Sequence, residues 1–374
     1  MSGQVLANYR RLVVKVGSSL LVGDDGQTNR LWLEKLADDV AMLARLGQEL
    51  LIVSSGAIAI GSSLLGINKR RARLEDLQAA AAAGQVHLVH AYQEALRRHN
   101  ITAAQILLTP DDTEDRRRFL NARRTLGVLI ERSVVPIINE NDTVATAEIR
   151  YGDNDRLAAR IAQLVMADAL VLLSDVDGLY SADPGAHADA KHIAEVTAIN
   201  SEILAMAGET RSDIGTGGMA TKVHAASIAT HAGCSTLIAS GVVDNPLQAL
   251  NNGARCTIFR ATATPASARK QWLAGALEVR GELHLDDGAL RALGGGASLL
   301  PVGVTSVVGN FGRGDVVSLR DASGKLIGRG LAEYSADEAR RLLGCRSDGI
   351  EAVLGYRGRA SMVHRDELVL FEHD

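Results

Sequence analysis

Apolar positions follow two alternating rhythms over the first two-thirds of the chain. Runs such as "RLVVKVG" (11–17) and "ELLIVSSG" (49–56) are continuous, β-branched and closed by glycine, as strands buried on both faces tend to be. Between them Leu33, Leu36, Val40, Leu43 and Leu46 recur at helical spacing, with Gly47 as the stop. The alternation continues through "AAAAAGQVHLVHAYQEALRRH" as helix, "AQILLT" as strand, "FLNARRTLGVLIER" as helix and "VVPIIN" as strand. It then passes through helical "DRLAARIAQLVMA", the strand "ALVLLSDVDG", a helix opened by "TGGMATKVHAASIATHAG" and the strand "STLIASG". Repeated βα units of this kind predict an α/β layer fold on a mainly parallel sheet.

The texture changes near residue 261. Residues 261–278, rich in small side chains and containing Pro265, read as a linker leading into a short helix. From 279 to 374 the chain becomes short glycine-punctuated strands, "GELHLDDGA", "SLLPVGVTSVVG", "GDVVSLRD" and "KLIGRGLAEY", with one helix at "SADEARRLLG". That pattern predicts a small second domain, β-barrel-like. The expected division is 1–260, linker 261–278, and 279–374.

Composition narrows the function. The 374 residues are 47% hydrophobic, which excludes global disorder and suits two domains. With 40 basic against 44 acidic side chains, the net charge of −4 gives no general reason for nucleic-acid or membrane-surface binding. Cys234, Cys256 and Cys345 lie far apart, without CxxC spacing, and read as reduced thiols rather than a disulfide or zinc framework. No signal peptide or membrane-length apolar run is evident, so a soluble, cytoplasmic protein is expected.

Candidate chemistry gathers where strands end. In "VVKVGSS" a strand delivers Lys15 beside a polar turn, a placement that suits a phosphate and equally an edge-turn lysine. "IVSSGAIAIG" repeats the plan with Ser54, Ser55 and Gly56 before a helix, read either as an anion-tolerant turn or as a serine N-cap. "IGTGGMATK" (214–222) places three glycines before a helix that carries Lys222. Its formal match to a dinucleotide fingerprint fails because a polar segment, not a strand, precedes it, and the Walker A spacing is absent. A glycine-rich anion cradle with a nearby cation remains, against a flexible loop with a capping threonine. The densest polar stretch, "NENDTVATAEIRYGDNDRLAARIA", follows an apolar strand with Asn139, Glu140, Asn141 and Asp142, then opens a helix with Asp153, Asn154 and Asp155. Capping needs few of these residues, whereas polar clusters at strand carboxyl ends are where open α/β sheets bind ligands. "LLSDVDGLYSADP" adds a weaker acidic turn. HExxH, GxSxG and EF-hand patterns are absent, and no histidine spacing suggests a metal site.

Taken in order, "VVKVGSS", "VSSGAIAIG", "RRRFLNARRTL", "VPIINENDTVATAEI", "YGDNDRLAA", "SDVDGLYSADP" and "GTGGMATK" resemble the glutamate 5-kinase family of amino acid kinases. The tail "SSLLPVGVTSVVGNFGRGDVV" resembles the PUA domain of bacterial members. The resemblance spans nearly the whole chain. It implies a three-layer amino acid kinase fold with a C-terminal PUA domain, transferring the γ-phosphoryl group of ATP to L-glutamate as the first step of proline biosynthesis. By residue, it implies glutamate binding by Ser55, Asp142 and Asn154, with Asn139 a weaker candidate. Lys15 and Lys222 would hold the transferring phosphoryl group, and Asp155 would orient them. ATP would also meet Ser174, Asp175 and the loop Thr216, Gly217, Gly218, Met219, Ala220, Thr221 and Lys222. Asp177, and Ala220 where a hydroxyl residue is common, are small departures that bear on nucleotide affinity.

The resemblance further implies Mg²⁺ with ATP, feedback inhibition by proline, a homo-oligomer (dimer or tetramer) and hand-off of product to glutamyl phosphate reductase. Protein ligands to Mg²⁺ are not readable, since such ions keep much of their coordination from water and phosphate. A glutamate γ-carboxylate is already ionised at neutral pH, so the chemistry needs no general base. Two rivals stand beside this reading. Another amino acid kinase, acting on acetylglutamate, aspartate, carbamate or a nucleotide, fits "NENDTVATAEI" and the tail less well. An RNA-binding role for the tail meets 12 basic against 14 acidic residues from Val279 onward, an unpromising balance even with Arg340, Arg341 and Arg346 near one helix.

Overall fold

The computed structural model describes residues 4–371 except 24–25, 70, 145–153, 209–217 and 276–277. The chain divides into two compact units, 1–265 and 266–374. The segment expected as a linker contains the helix Pro265–Ala274.

Among the described residues the first unit has ten strands: β1 (Arg11–Val16), β2 (Glu49–Ser54), β3 (Ala103–Leu108), β4 (Val135–Glu140), β5 (Ala169–Ser174), β6 (Leu179–Tyr180), β7 (His192–Ile193), β8 (Glu195–Val196), β9 (Ser235–Ser240) and β10 (Cys256–Phe259). Eight form one sheet in the order β3-β4-β2-β1-β5-β9-β10-β8, while β6 and β7 make a separate antiparallel ribbon. All neighbours in the large sheet run parallel except β9 and β10. The acidic turn 175–178 after β5 thus leads into a short ribbon, a pairing too brief to leave a period in the sequence.

Strand alternation sends β1 into two cores. Leu12, Val14 and Val16 pack with Leu33, Leu36 and Val40 of the Arg30–Arg45 helix and with Leu88 and Tyr92 of the Leu74–Arg97 helix. Val13 faces the other way, toward Ala158 and Ile161 of the Asn154–Leu164 helix and Val223 and Ala226 of the Met219–His231 helix. Each such fully buried aliphatic side chain contributes about 1.5–3 kcal/mol, so the two cores hold the strand ends firmly. Two residues beyond Val13, Lys15 emerges on the same face as those helices.

One helix contact is unusually close. Gly61 of the Ala57–Leu65 helix and Gly84 of the Leu74–Arg97 helix meet backbone to backbone. A Cβ on Gly61 would lie 1.7 Å from the Ala80 carbonyl oxygen, and one on Gly84 would lie 1.9 Å from that of Ala57. Only glycine permits this approach.

The second unit carries β11 (Gly281–Leu285), β12 (Val304–Gly309), β13 (Val316–Arg320), β14 (Leu326–Leu331) and β15 (Leu368–Leu370) in the order β12-β11-β13-β14-β15. Leu283, Val317, Leu319 and Tyr334 centre its core. The sequence pattern predicts one helix beyond residue 279, whereas Asp287–Gly294, Ala336–Arg341 and Ile350–Leu354 are all helical. In the first of these, Asp286 caps the N-terminus by accepting from Ala289 N–H at 2.7 Å, so the end of "GELHLDDGA", expected as strand, starts a helix. Arg340 pairs with Asp337 at 2.9 Å and Arg341 donates to the Val353 carbonyl, so both guanidinium groups are engaged within the unit.

Candidate active site

The carboxyl ends of β2, β1 and β5 stand side by side, with Val16 registered against Ser54 on one flank and Leu173 on the other. From β1 the chain moves to β2 on one side and reaches β5 on the opposite side. Open α/β sheets bind ligands at such a reversal of strand order. A cavity of about 330 Å³ opens there, lined by Lys15, Ser55, Asn139, Asp142, Ser174 and Lys222, among others. Asn154 and Asp175 also face it.

One end of the cavity is built on a shared carboxylate. Asp155, on the first turn of the Asn154–Leu164 helix, is 1% exposed. Its Oδ1 lies 2.7 Å from Lys15 Nζ and its Oδ2 lies 3.4 Å from Lys222 Nζ. The Thr221 hydroxyl lies 2.9 Å from the same Oδ2. Burial alone raises the pKa of Asp155, but the two ammonium groups and these hydrogen bonds outweigh it and hold the carboxyl below its ordinary value. Lys222 shifts down, because its burial outweighs the attraction of Asp155. Two cations share the Asp155 carboxylate, and Asp175 acts on Lys222 from the cavity wall.

Lys222 sits on the first turns of the Met219–His231 helix, where Gly218 is the N-cap and no side chain caps the end. Thr221 lies inside the helix, where its hydroxyl donates to Gly218 O at 2.8 Å and to Asp155; Thr216, the threonine ahead of the helix, lies outside the described residues. The exposed N–H groups of that turn add to the positive character. Met219 and Ala220 open the helix, while Thr216 and Gly217 lie outside the described residues. On β5, Ser174 donates to Asp175 Oδ1 at 2.8 Å.

The other end is a chain of amides. Asn154 Nδ2 lies 2.7 Å from Ser55 Oγ, 3.0 Å from the Ser54 carbonyl oxygen and 3.2 Å from Asn139 Oδ1. Asn139 in turn donates to Gln85 Oε1 at 2.7 Å. The buried Asn154 Oδ1 has no donor among the described residues. Asp142 follows β4, and burial pushes its carboxyl up to about 6. The turn between Ser55 and the Ala57–Leu65 helix runs through Gly56 at φ 102°, a left-handed conformation that glycine adopts without strain. Gly56 is the N-cap and no side chain caps it, so the serine-cap reading of this stretch does not hold.

The structure thus brings together Lys15, Ser55, Asn139, Asp142, Asn154, Ser174, Asp175 and Lys222 around one cavity, with Asp155 buried at its base. Two contributors carry little sequence signal. Lys69 lines the cavity from "GINKRR", a run that reads as a solvated loop. Gln85, inside an alanine-rich helix, holds Asn139.

Residues 10–240 match the amino acid kinase family, and residues 281–354 match the PUA domain. The chain belongs to the amino acid kinase family. As an amino acid kinase, it is a phosphotransferase that uses ATP. Glutamate 5-kinase of Paramagnetospirillum magneticum is 56% identical over 98% of this chain and 99% of its own length. The Rhizobium rhizogenes and Agrobacterium fabrum proteins of that name are 54% and 53% identical, each over 98% of this chain and 94% of theirs. Among solved structures, UMP kinase from Ureaplasma parvum aligns with a TM-score of 0.48 and 17% identity, over 67% of this chain and 98% of that one. No helix among the described residues of this amino acid kinase is long and apolar enough to cross a membrane.

Proposed function

We propose that the chain transfers the γ-phosphoryl group of ATP to the γ-carboxylate of L-glutamate, forming L-glutamyl 5-phosphate and ADP. The observation that carries this reading is the pair of buried lysines sharing Asp155 in a cavity that also presents the amides of Asn139 and Asn154, the Ser55 hydroxyl and the Asp142 carboxyl. Phosphoryl transfer is mainly positioning plus neutralisation of equatorial oxygen charge, and two ammonium groups held a short distance apart supply that. In this reading Lys15 and Lys222 flank the γ-phosphoryl group and Asp155 sets their separation. The nucleotide phosphates meet Ser174, Asp175 and the glycine-rich segment 216–222.

The amino acid occupies the amide end. Ser55, Asn154 and Asn139 orient it, Asp142 meets its ammonium, and the open Asn154 Oδ1 accepts a second N–H. The γ-carboxylate then points toward the lysines as an ionised nucleophile. Its oxygen attacks the γ-phosphorus, the β–γ bridging bond breaks, and ADP leaves without any proton having to move to a side chain.

Mg²⁺, when bound with the nucleotide, would supply positive charge that offsets the charge of the phosphates. Among the described residues no cluster of three or more His, Cys, Asp or Glu could cage a metal. Mg²⁺ needs few protein ligands, and Asp175 on the cavity wall is the residue that would hold it.

Several partner relationships follow from the same reading. The product is a labile acyl phosphate, which calls for prompt reduction by a glutamyl phosphate reductase. Proline, an amino acid of similar backbone chemistry, is expected to inhibit at the glutamate end, and the kinase is expected to work as a dimer or tetramer.

The test is ATP-dependent hydroxamate formation with L-glutamate, set against aspartate, acetylglutamate and no acceptor. Hydroxamate from glutamate alone supports the proposal, and Lys222→Ala should abolish it while leaving glutamate binding largely intact. Product from acetylglutamate or aspartate instead would reassign the acceptor.

A further inference from the structure

Six charged side chains line the cavity: Lys15, Lys69, Glu140, Asp142, Asp175 and Lys222. Lys15 and Lys222 are committed to Asp155, and Asp175 accepts from Ser174. Glu140 also has a partner. Lys69 and Asp142 differ: among the described residues neither side chain has a hydrogen-bond or ion-pair partner, and burial is the sole influence on the titration of each. Among the described residues, then, a cation and an anion face one cavity without pairing with each other.

Their placement is orderly. Lys69 follows the Ala57–Leu65 helix, whose Ala57 and Ile60 pack in the core on the Tyr92 side of the sheet. The Asp142–Val144 turn packs against the Leu74–Arg97 helix on that same side. Lys15 and Lys222 lie on the opposite face, with Val13 and Val223. A cation and an anion that line one cavity, neither paired among the described residues, are complementary to the backbone of a free α-amino acid.

We propose that Lys69 receives the α-carboxylate of the amino acid substrate, so that Lys69 and Asp142 together select a free zwitterion. This rests on the glutamate reading above and adds a specificity residue to it. Lys69 is exposed at the cavity and its partial burial lowers its pKa, while burial raises that of Asp142; a bound ammonium would favour the Asp142 carboxylate. A γ-carboxylate compound whose α-carboxyl is masked would leave Lys69 unpaired and bind less well.

The experiment compares L-glutamate with isoglutamine, its α-amide, as acceptors in the hydroxamate assay. Wild-type enzyme should show a KM for isoglutamine about tenfold above that for glutamate, the scale of one charge-assisted contact. Lys69→Met should raise the glutamate KM about tenfold and leave the isoglutamine and ATP KM values within about twofold. Lys69→Arg should restore most of the preference. An unchanged glutamate KM in Lys69→Met, an equal rise for both acceptors, or a rise confined to ATP would each overturn the assignment. Wild-type enzyme that forms no hydroxamate from glutamate fails the underlying function instead, and the control acceptors identify that case separately.

Discussion

Lys15 Nζ lies 2.7 Å from Oδ1 of Asp155, an ion pair in which both side chains are more than nine-tenths buried. Desolvating two charges costs several kcal/mol, and attraction repays it only with good geometry. Here the carboxylate answers a second cation, Lys222, and a hydroxyl as well. The arrangement makes sense as a frame for positive charge that must stay in place before phosphate arrives.

Asp155→Asn should therefore cost both stability and turnover. Removing the anion leaves two buried ammonium groups facing each other, a loss of about 3–5 kcal/mol by analogy with broken buried pairs. Polyphosphate can replace the missing charge, so MgATP should raise the melting temperature of the variant more than that of wild type. Calorimetry with and without MgATP checks this; equal shifts would show that Asp155 does not govern the lysines.

A second expectation concerns pH. The Asp142 carboxyl is raised from 3.8 to about 6 by burial, so the folded protein holds this proton more tightly than the unfolded chain does. Ionised Asp142 thus detracts from stability above pH 6, and its share of stability is regained as pH falls from about 6 toward 3.8. Substrate binding goes the opposite way, because only the carboxylate attracts an ammonium. The glutamate KM should rise as pH drops through about 6, with kcat changing less. Asp142→Asn should have a high KM that no longer responds to pH in this range. Steady-state kinetics between pH 5 and 8 decide it, and a wild-type KM that stays flat would remove Asp142 from the ammonium site.

Much of this site can be read from local pattern. β1 alternates strictly, so Lys15 had to follow Val13 onto a face, and "GDND" before an alanine-rich helix placed Asn154 and Asp155 at its start. Pairings across the sheet were not readable. Asn154 reaches Ser55 across 99 residues, and nothing local to either says that β4 inserts between β3 and β2. Lys69 carries no signal because a lysine in a polar loop looks the same whether it faces solvent or a cavity. The Asp287–Gly294 helix was hidden for a different reason: its glycines suggest turns, while Asp286 and the buried Leu293 secure the helix.

The Gly61–Gly84 helix contact tests how rigidly the amino acid end is held. Gly84→Ala should gain up to about 1 kcal/mol of helix propensity, since it lies inside the Leu74–Arg97 helix. Against that, the added methyl would sit 1.9 Å from the Ala57 carbonyl oxygen, which is backbone and cannot swing aside. The two helices must separate, an overpacking cost of about 1–3 kcal/mol or more, so the net effect is destabilising. The change should also reach the site: Gln85 is the next residue and holds Asn139, while Ala57 begins the helix directly after Gly56. Shifting both at once should raise the glutamate KM while leaving the ATP KM near wild type, since Lys15 and Lys222 rest on the other core. Denaturant unfolding together with the two KM values checks the prediction. A variant as stable as wild type would mean that the helices can part without loss, and the amide end would then owe its geometry to something other than this contact.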